Sequence, residues 1–373
     1  MKYICQSANL IESVFMVILL FFVSVRVFAQ SDIMTFNEYE PISTLVVEEH
    51  LLTSAKFPFI DIHSHQPSMT DQDLDELIKN MDSLNMKIMI NLSGRWGNYF
   101  QSNIDNIERK KLSNRIVVFS NIDFRNFGSD GWTEAWVEQI KIDHAKGAMG
   151  LKIFKELGMT HKDESGKRIQ INDPRLGPIW EICGELGMPV LIHSGAPSSF
   201  WKPFDEKNER WLEMYTHKDR NYANTNLPLW EQIIQEQHDM FSKHPKTIFI
   251  NAHLGWFGNN LEKLGQLLND IPNMYVEFGA VIAELGRQPK TARQFFDRYQ
   301  DRILFGKDSW VPAEYMTYFR VLETEDEYFP YHKKYHAFWR MYGMGLSDQI
   351  LKKIYYKNAL KILPGIDKTQ FPD

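Results

Sequence analysis

Eight short apolar runs recur along the chain, and stretches with the spacing of amphipathic helices lie between them. The runs are nearly continuous rather than alternating, which is typical of parallel strands buried on both faces. They are Phe57–Ile62, Lys87–Leu92, Ile116–Ile122, Met149–Phe154, Pro189–Ile192, Thr247–Asn251, Met274–Phe278 and Ile303–Phe305. The helical stretches include Asp71–Leu84, Thr133–Ala145, Pro174–Leu186, Leu227–Phe241 and Thr291–Tyr299. This alternation predicts an α/β fold, a closed (β/α)8 TIM barrel.

A doubly wound open sheet is the alternative that also alternates strands with helices. No Gly-rich phosphate loop follows the first run, which favours the closed barrel. No low-complexity segment or Pro/Gly-rich linker divides residues 30–373, so we expect a single domain. Ser194–Thr225 is a long insertion after the fifth strand, typical of a lid or substrate wall. A packing or dimer arm is the other interpretation of this insertion.

The first residues have the pattern of an export signal. Val14–Val25 is an apolar run, preceded by Lys2 and followed by Val27-Phe28-Ala29. This arrangement predicts a signal peptide over residues 1–29, cleaved after Ala29. The run is shorter than the roughly 20 residues that cross a bilayer as a helix, although an uncleaved anchor is the alternative. We therefore expect a secreted or periplasmic protein that has no membrane contact after cleavage.

Charge and cysteine content narrow the range of partners. The formal net charge is −6, and it becomes −7 when Lys2, Arg26 and Glu12 leave with the signal peptide. An acidic protein is a poor partner for nucleic acid or for an anionic membrane. The expected partners are therefore a small-molecule substrate and, for a homodimer, a second copy of the chain. Cys183 is the only cysteine after residue 29 and lies in an apolar helical pattern, so we expect it in the core.

Five side chains that can bind metal follow the predicted strands. His63 and His65 come after the first strand and, being two residues apart, point to the same face. His193, His253 and Asp308 follow the fifth, sixth and eighth strands. The carboxyl ends of barrel strands converge on one mouth, where the active sites of this fold lie. Imidazole and carboxylate are ligands that Zn, Mn and Fe prefer, so the pattern predicts a divalent metal site.

Other residues near the strand ends are candidates for contact with substrate. Phe154 and Trp256 could wall an aromatic or planar substrate, and Arg287 could bind a carboxylate bidentately. Each has loop packing or a surface ion pair as its alternative. Glu277 is expected to orient a ligand histidine or to pair with a lysine, and Lys155 is expected in a solvated loop. The remaining histidines are interpreted as surface or structural residues: His144, His161, His217, His238, His244, His332 and His336.

The order of these motifs resembles the signature of the amidohydrolase superfamily. The resemblance rests on the His-x-His and the later His, His and Asp. It extends to Gly150-Leu151-Lys152-Ile153, to the segments that contain His193 and His253, and to Ile354–Ala359. The chain looks like the amidohydrolase-related branch that includes aminocarboxymuconate-semialdehyde decarboxylase. The resemblance implies that His63, His65, His193 and Asp308 bind the metal. His253 would then act as an acid/base or hold a second ion.

The resemblance leaves the role of Lys152 open. In binuclear members a carboxylated lysine at this position bridges two metals, whereas a plain ammonium would clamp an anionic substrate or form a structural ion pair. The branch that the chain resembles is usually mononuclear, so we expect one ion, Zn in the first place and Mn or Fe as alternatives.

The predicted function is metal-dependent hydrolysis of a C–O or C–N bond in a small, carboxylate-bearing substrate, with Asp308 or His253 as the acid/base. Two other functions are compatible with the same residues. A non-oxidative decarboxylase uses the same metal cage, and a non-catalytic periplasmic barrel could bind a metal or another ligand without turnover.

Overall fold

A computed structural model describes residues 34–36 and 38–372 of the chain. The predicted signal peptide over residues 1–29 lies outside the described residues. All strand pairs in the described part are parallel. The strands are β1 Phe59–Ser64, β2 Met86–Asn91, β3 Ile116–Val118, β4 Ser120–Asn121, β5 Leu151–Ile153, β6 Val190–Ile192, β7 Phe249–Asn251, β8 Met274–Glu277 and β9 Ile303–Leu304.

The strands pair in the order of the sequence. One ladder runs from β1 to β3 and a second from β4 to β9, and Phe119 alone separates β3 from β4. The backbone N–H of Ile62 donates to the carbonyl of Phe305 (2.9 Å), and that of Asp308 donates to the carbonyl of His63 (2.7 Å). These bonds join the end of β9 to β1. The predicted (β/α)8 TIM barrel is therefore confirmed, with its third strand in two pieces.

Helices connect the strands and cover the barrel. They are α1 Asp71–Leu84, α2 Gly97–Arg109, α3 Trp132–Ala145, α4 Gly177–Glu185, α5 Trp211–Thr216, α6 Trp230–Lys243, α7 Leu261–Asp270, α8 Ile282–Gly286, α9 Pro289–Tyr299, α10 Tyr315–Glu323, α11 Asp348–Lys352 and α12 Asn358–Ile362. A π turn, Lys353–Lys357, links the last two. None of the helices in the described part of the chain has the length and apolar character that a bilayer crossing requires.

Helix α1 illustrates how local sequence fixes an element. The Thr70 hydroxyl accepts a hydrogen bond from the backbone N–H of Asp73, and the Asp73 carboxylate accepts one from the backbone N–H of Thr70, which forms a capping box. At the other end Asn85 adopts the left-handed conformation that stops a helix. The buried residues recur at helical spacing (Leu74, Leu77, Met81 and Leu84). The predicted bounds of this helix agree with the structure.

Several elements differ from the sequence prediction. The helical stretches named from the sequence do not include α2, α5, α7, α8, α10, α11 and α12. The first strand spans residues 59–64 rather than 57–62. The shift brings His63 into the strand itself, where hydrogen bonds to the segment after β9 fix its backbone. Cys183 is buried in the core as expected, and burial raises the pKa of its thiol to about 12.

The insertion after the fifth barrel strand contains α5 and two short 3₁₀ turns, Ser198–Trp201 and Lys218–Arg220. The barrel unit begins at Glu48 and ends at Asp373. The preceding unit ends at Val47, and its described part, residues 34–36 and 38–47, contains no helix or strand.

Candidate metal centre

Strand β1 delivers two imidazoles to one point at the carboxyl end of the barrel. His63 and His65 lie two residues apart, and their Nε2 atoms are 3.2 Å from each other. His63 is buried, whereas about a quarter of the His65 side chain is exposed. The Ser93 hydroxyl lies 2.9 Å from Nδ1 of His65 and fixes the orientation of that ring. Both Nε2 atoms are therefore presented to the same place.

Asp308 completes this cluster from the loop that follows β9. One of its carboxylate oxygens lies 3.5 Å from Nε2 of His63 and 3.6 Å from Nε2 of His65. Its backbone has a φ of 81°, an unusual left-handed value for a residue with a side chain. The hydrogen bond from its N–H to the carbonyl of His63 holds it there. Strain of this kind persists where surrounding contacts over-determine the backbone, and it is common at functional sites.

Glu277, at the end of β8, orients two of the histidines. Its fully buried carboxylate accepts hydrogen bonds from Nδ1 of His63 (2.9 Å), the backbone N–H of His253 (2.8 Å) and the backbone N–H of Gly279 (2.5 Å). Gly306 packs against it, and a Cβ there would lie 2.6 Å from the carboxylate. The expected contact of Glu277 with one of the candidate ligand histidines is therefore present, at His63. Since Glu277 accepts these N–H bonds, we assign it to positioning rather than to metal binding.

A left-handed turn places His253 beside the cluster. All four residues from His253 to Trp256 have φ values between 55° and 63°. Nδ1 of His253 lies 2.7 Å from the carbonyl oxygen of Gly279, to which it donates, so Nε2 is the unprotonated nitrogen. That Nε2 lies 3.4 Å from Nδ1 of His193.

His193 and Lys152 each have one buried nitrogen without a hydrogen-bond partner. No described residue forms a hydrogen bond with Nε2 of His193 or with Nζ of Lys152. Burial lowers the pKa of Lys152 to about 8, and the charges of Asp308 and Glu277 oppose that shift. An unpaired donor or acceptor in this position is costly unless a bound group satisfies it.

The donor set fits a divalent ion. Ligand atoms that lie about 2.0–2.2 Å from a tetrahedral ion are about 3.3–3.6 Å from one another, close to the spacing of the His63, His65 and Asp308 atoms. Burial lowers the pKa of His65 to about 4 and the pKa of His63 well below its usual value, so both imidazoles are neutral. Neutral imidazole is the form that binds metal. His193 offers a further nitrogen in Nε2.

A cavity of about 310 Å³ opens above this cluster. Asp308, His193 and His253 form its floor on the metal side. Residues of the insertion form part of its wall: Ala196, Pro197, Phe200, Arg210, Glu213, Arg220 and Tyr222. The insertion is therefore a wall of the pocket, which was the first of its two interpretations.

The predicted substrate contacts fall in different places. Trp256 lines the cavity, and its indole N–H donates to the carbonyl of Ser194 (2.9 Å). The Phe154 ring lies 5.7 Å from the His65 ring. Arg287 is not among the lining residues, because its guanidinium pairs with Glu209 and Glu284 and lies over the Trp339 ring.

The sequence analysis did not predict several residues of the cavity wall. Lys155 was expected in a solvated loop and His336 among surface or structural residues, yet both line the cavity. Arg210 and Lys333 were not singled out at all and line it as well. These residues lie on three separate segments, so no local pattern marks them as neighbours. The only signal in the sequence was a position within the long insertion after the fifth strand. Of these residues, only Arg210 lies in that insertion.

Comparison with known proteins agrees with the geometry. The family model described as Amidohydrolase matches residues 147–365, more than half of the chain. The chain is similar in structure to 4-oxalomesaconate hydratase from Rhodopseudomonas palustris, with 13% identity over 82% of this chain and 95% of that chain and a TM-score of 0.50. It is also similar to a dihydroxybenzoic acid decarboxylase from Polaromonas sp. JS666, solved with bound manganese and the inhibitor 2-nitroresorcinol. In that case 12% identity covers 84% of this chain and 99% of that chain, again with a TM-score of 0.50.

No curated protein matches the chain in sequence. At identities this low the structural similarity shows a shared fold alone. The family match includes Lys152, His193, His253 and Asp308, whereas His63 and His65 precede it. The family model, the barrel and the cluster of side chains that could hold a metal agree, and the chain belongs to the amidohydrolase family of metal-dependent enzymes.

Proposed function

We propose that this protein is a metal-dependent hydrolase that cleaves a C–O or C–N bond in a small, carboxylate-bearing substrate. His63, His65, His193 and Asp308 would hold one divalent ion. The observation that carries the proposal is the convergence of His63, His65 and Asp308, with donor atoms 3.2–3.6 Å apart, beside a cavity that Asp308 lines.

Two residues on the cavity floor can manage the protons of hydrolysis. A bound divalent ion would supply Lewis acidity and would lower the pKa of water toward neutral. Asp308, whose carboxylate borders the cavity, accepts the proton of the attacking water. The water oxygen joins the substrate carbon, the C–O or C–N bond breaks, and Asp308 returns the proton to the leaving atom.

His253 is placed to assist the departure of the leaving group. Its Nδ1–H donates to the carbonyl oxygen of Gly279, which leaves Nε2 as a proton acceptor on the cavity side. The Glu277 carboxylate accepts a hydrogen bond from the backbone N–H of His253. The ring is thereby fixed in one tautomer, so it can accept or return a proton at Nε2 without reorienting.

The polarity of the cavity favours hydrolysis over loss of CO2. Two lysines, Lys155 and Lys333, line the cavity together with the mutually paired charges of Arg210 and Glu213. Such a lining stabilises a carboxylate as an anion and admits water. Decarboxylation instead benefits from a carboxylate whose charge is poorly solvated.

A decarboxylase is the second candidate, and Trp256 is the observation that favours it. The indole ring lies 4.6 Å from the His253 ring and 5.6 Å from the His193 ring. Its hydrogen bond to the carbonyl of Ser194 fixes it as a flat wall beside the metal site. A planar aromatic acid would pack against such a wall.

Incubation in ¹⁸O-labelled water separates the two reactions. The metal-loaded protein would be given a panel of aromatic acids, lactones and amides, while proton release and CO2 release are followed. We expect incorporation of one ¹⁸O atom into a product, with net proton release where a lactone is opened and none where an amide is cleaved to a carboxylate and an ammonium, and no incorporation with Asp308→Asn. Release of CO2 without incorporation of ¹⁸O into the remaining product would establish the decarboxylase instead. The absence of turnover with every compound would count against both.

A further inference from the structure

Cationic and anionic side chains both line the outer part of the cavity. Four cationic side chains line it, namely Lys155, Arg210, Arg220 and Lys333, together with the carboxylates of Glu213 and Glu284. The arginines and the lysines differ in whether carboxylates of the protein already pair with them.

Both arginines are paired within the protein. Arg210 binds Glu213 (2.7 Å) and Glu284 (2.5 Å), and Arg220 binds Glu213 (2.6 Å). Arg287 pairs with the second oxygen of Glu284 at 2.6 Å. These pairs tie the insertion to helix α8 and leave little capacity for a substrate anion.

The two lysines are different. Lys155 and Lys333 are both partly buried, and within the described part of the chain neither ammonium forms a hydrogen bond or an ion pair. Glu314, the carboxylate near Lys333, is paired with Lys307 instead. A partly buried ammonium that faces a cavity without a counter-ion is a binding point for an anion on a ligand.

The two lysines lie near different parts of the cavity wall. Lys155 directly follows Phe154, whose ring lies 5.7 Å from the His65 ring, so Lys155 lies near the metal end of the cavity. The Lys333 carbonyl accepts a hydrogen bond from the backbone N–H of His336, and Nδ1 of His336 lies 3.5 Å from Glu213 of the insertion, so Lys333 lies near the wall that the insertion forms. One compact anion would therefore meet one lysine, whereas a ligand with two separated anionic groups would meet both.

We propose that the substrate is a small dicarboxylate. One carboxylate binds near Lys155 beside the metal site, and the second binds Lys333 beside the insertion. This inference rests on the proposed function only in taking the cavity above the metal cluster as the substrate site. A cavity of about 310 Å³ is at the small end of the range for ligand pockets, which suits a compact diacid.

Binding measurements on the metal-loaded protein test the inference without any turnover. Calorimetry would compare three dicarboxylates with their monocarboxylate partners: isophthalate and terephthalate with benzoate, and glutarate with butyrate. We expect at least one diacid to bind about tenfold or more tightly than its partner. Equal affinities in all three pairs would overturn the proposal, as would no measurable binding of any diacid.

Matched variants assign the two binding points. Lys333→Gln should weaken the diacid about tenfold and leave the monoacid within about twofold, because only the second carboxylate meets this residue. Lys155→Gln should weaken both acids, and Lys333→Arg should keep most of the preference. Lys334→Gln, at the exposed neighbour that does not line the cavity, is the control. Loss of monoacid binding in Lys333→Gln, equal to the loss of diacid binding, would refute the two-point arrangement.

The outcomes separate this inference from the proposed function. A preserved preference for diacids together with absent hydrolysis would reject the hydrolase and keep the dicarboxylate site. Hydrolysis of monocarboxylates without any preference for diacids would keep the hydrolase and reject the dicarboxylate site.

Discussion

Glu277 holds two of the histidines of the candidate metal site, His63 and His253. Its two oxygens accept hydrogen bonds from the His63 ring and from two backbone N–H groups, one of them that of His253. A carboxylate can accept all of these bonds, whereas an amide has one accepting oxygen and a nitrogen that donates. The arrangement therefore requires a carboxylate here and not merely a polar side chain of the same size.

We expect Glu277→Gln to weaken metal binding by about 10–100-fold, because the amide nitrogen would face N–H donors and His63 would lose its orienting contact. Competition with a calibrated chelator measures the affinity. Glu262→Gln, at an exposed position of α7, is the control and should bind the ion like the wild type. Unchanged affinity in Glu277→Gln would mean that the ring of His63 is held by other contacts.

The proposed roles of His63 and Asp308 make a separate prediction. His63→Ala and Asp308→Asn should each lower turnover by about 10² or more, since the first removes a ligand and the second the acid/base. Far-ultraviolet circular dichroism should show that both remain folded, because the Asp308 side chain borders the cavity and the barrel ladder passes through the backbone of His63. Turnover retained in both variants would reject the site assignment.

At the scale of the element, the left-handed turn from His253 to Trp256 is the least expected feature. L residues rarely adopt this conformation, and each non-glycine residue in it costs about 1–2 kcal/mol. Three of the four residues here have side chains, among them the buried Leu254. The turn directs His253 toward the metal cluster and Trp256 along the cavity wall.

The glycine in this turn provides a test. A Cβ on Gly255 would lie 2.4 Å from the Asn251 side chain, so Gly255→Ala adds a clash to the left-handed strain and should destabilise the fold by about 2–4 kcal/mol. Gly166→Ala is the matched control, since Gly166 also has a positive φ (81°) but nothing lies within 4 Å of its Cβ position. It should cost only the conformational part, about 1–2 kcal/mol. Urea unfolding measures both, and equal losses would show that Asn251 moves aside freely.

At the scale of the whole molecule, the buried carboxylate of Asp326 connects the loop after α10 to the segment before β1. Asp326 accepts hydrogen bonds from the backbone N–H of His50 (2.7 Å) and from Nε of Arg320 (2.6 Å), and it lies 2.6 Å from Nδ1 of His50. The contact with Asp326 raises the pKa of His50 above 6.5. The contact links residues 276 positions apart in sequence.

This pair predicts a stability that depends on pH. Because the folded-state pKa of His50 is raised, its contribution is complete below about pH 6.5 and is lost as the pH rises through the folded-state value. The difference in melting temperature between wild type and His50→Gln should therefore be larger at pH 6 than at pH 9. Thermal scans across this range measure it. A difference that does not change with pH would mean that the imidazole is not charged in the folded state.

The number of ions per chain is a property of the whole molecule. We expect about one divalent ion by plasma mass spectrometry, because His63, His65 and Asp308 converge on a single point. Removal of the ion by a chelator should lower the melting temperature, since the ion binds only the folded state. About two ions per chain would indicate instead that Lys152 is carboxylated and that His253 is a ligand.

Sequence reasoning succeeded where the signal was local. The hydrophobic runs marked every strand of the barrel, since parallel strands buried on both faces are apolar throughout. His63 and His65 were placed together because residues two apart on a strand share a face. The ends of the elements were less accurate, because strand ends depend on pairing partners such as the segment after β9, which hydrogen-bonds to the end of β1.

The sequence alone determined the fold class, the family signature and the residue types around the candidate metal site, because periodicity and spacing are properties of neighbours along the chain. The predicted signal peptide and export remain predictions from that sequence. Only the tertiary structure decided that Arg287 is occupied by carboxylates, that Lys155 and Lys333 face one cavity, and that Glu277 holds both His63 and His253. Each of these facts concerns groups far apart in sequence, and whether a charge is paired or free depends on which distant side chains folding brings to it.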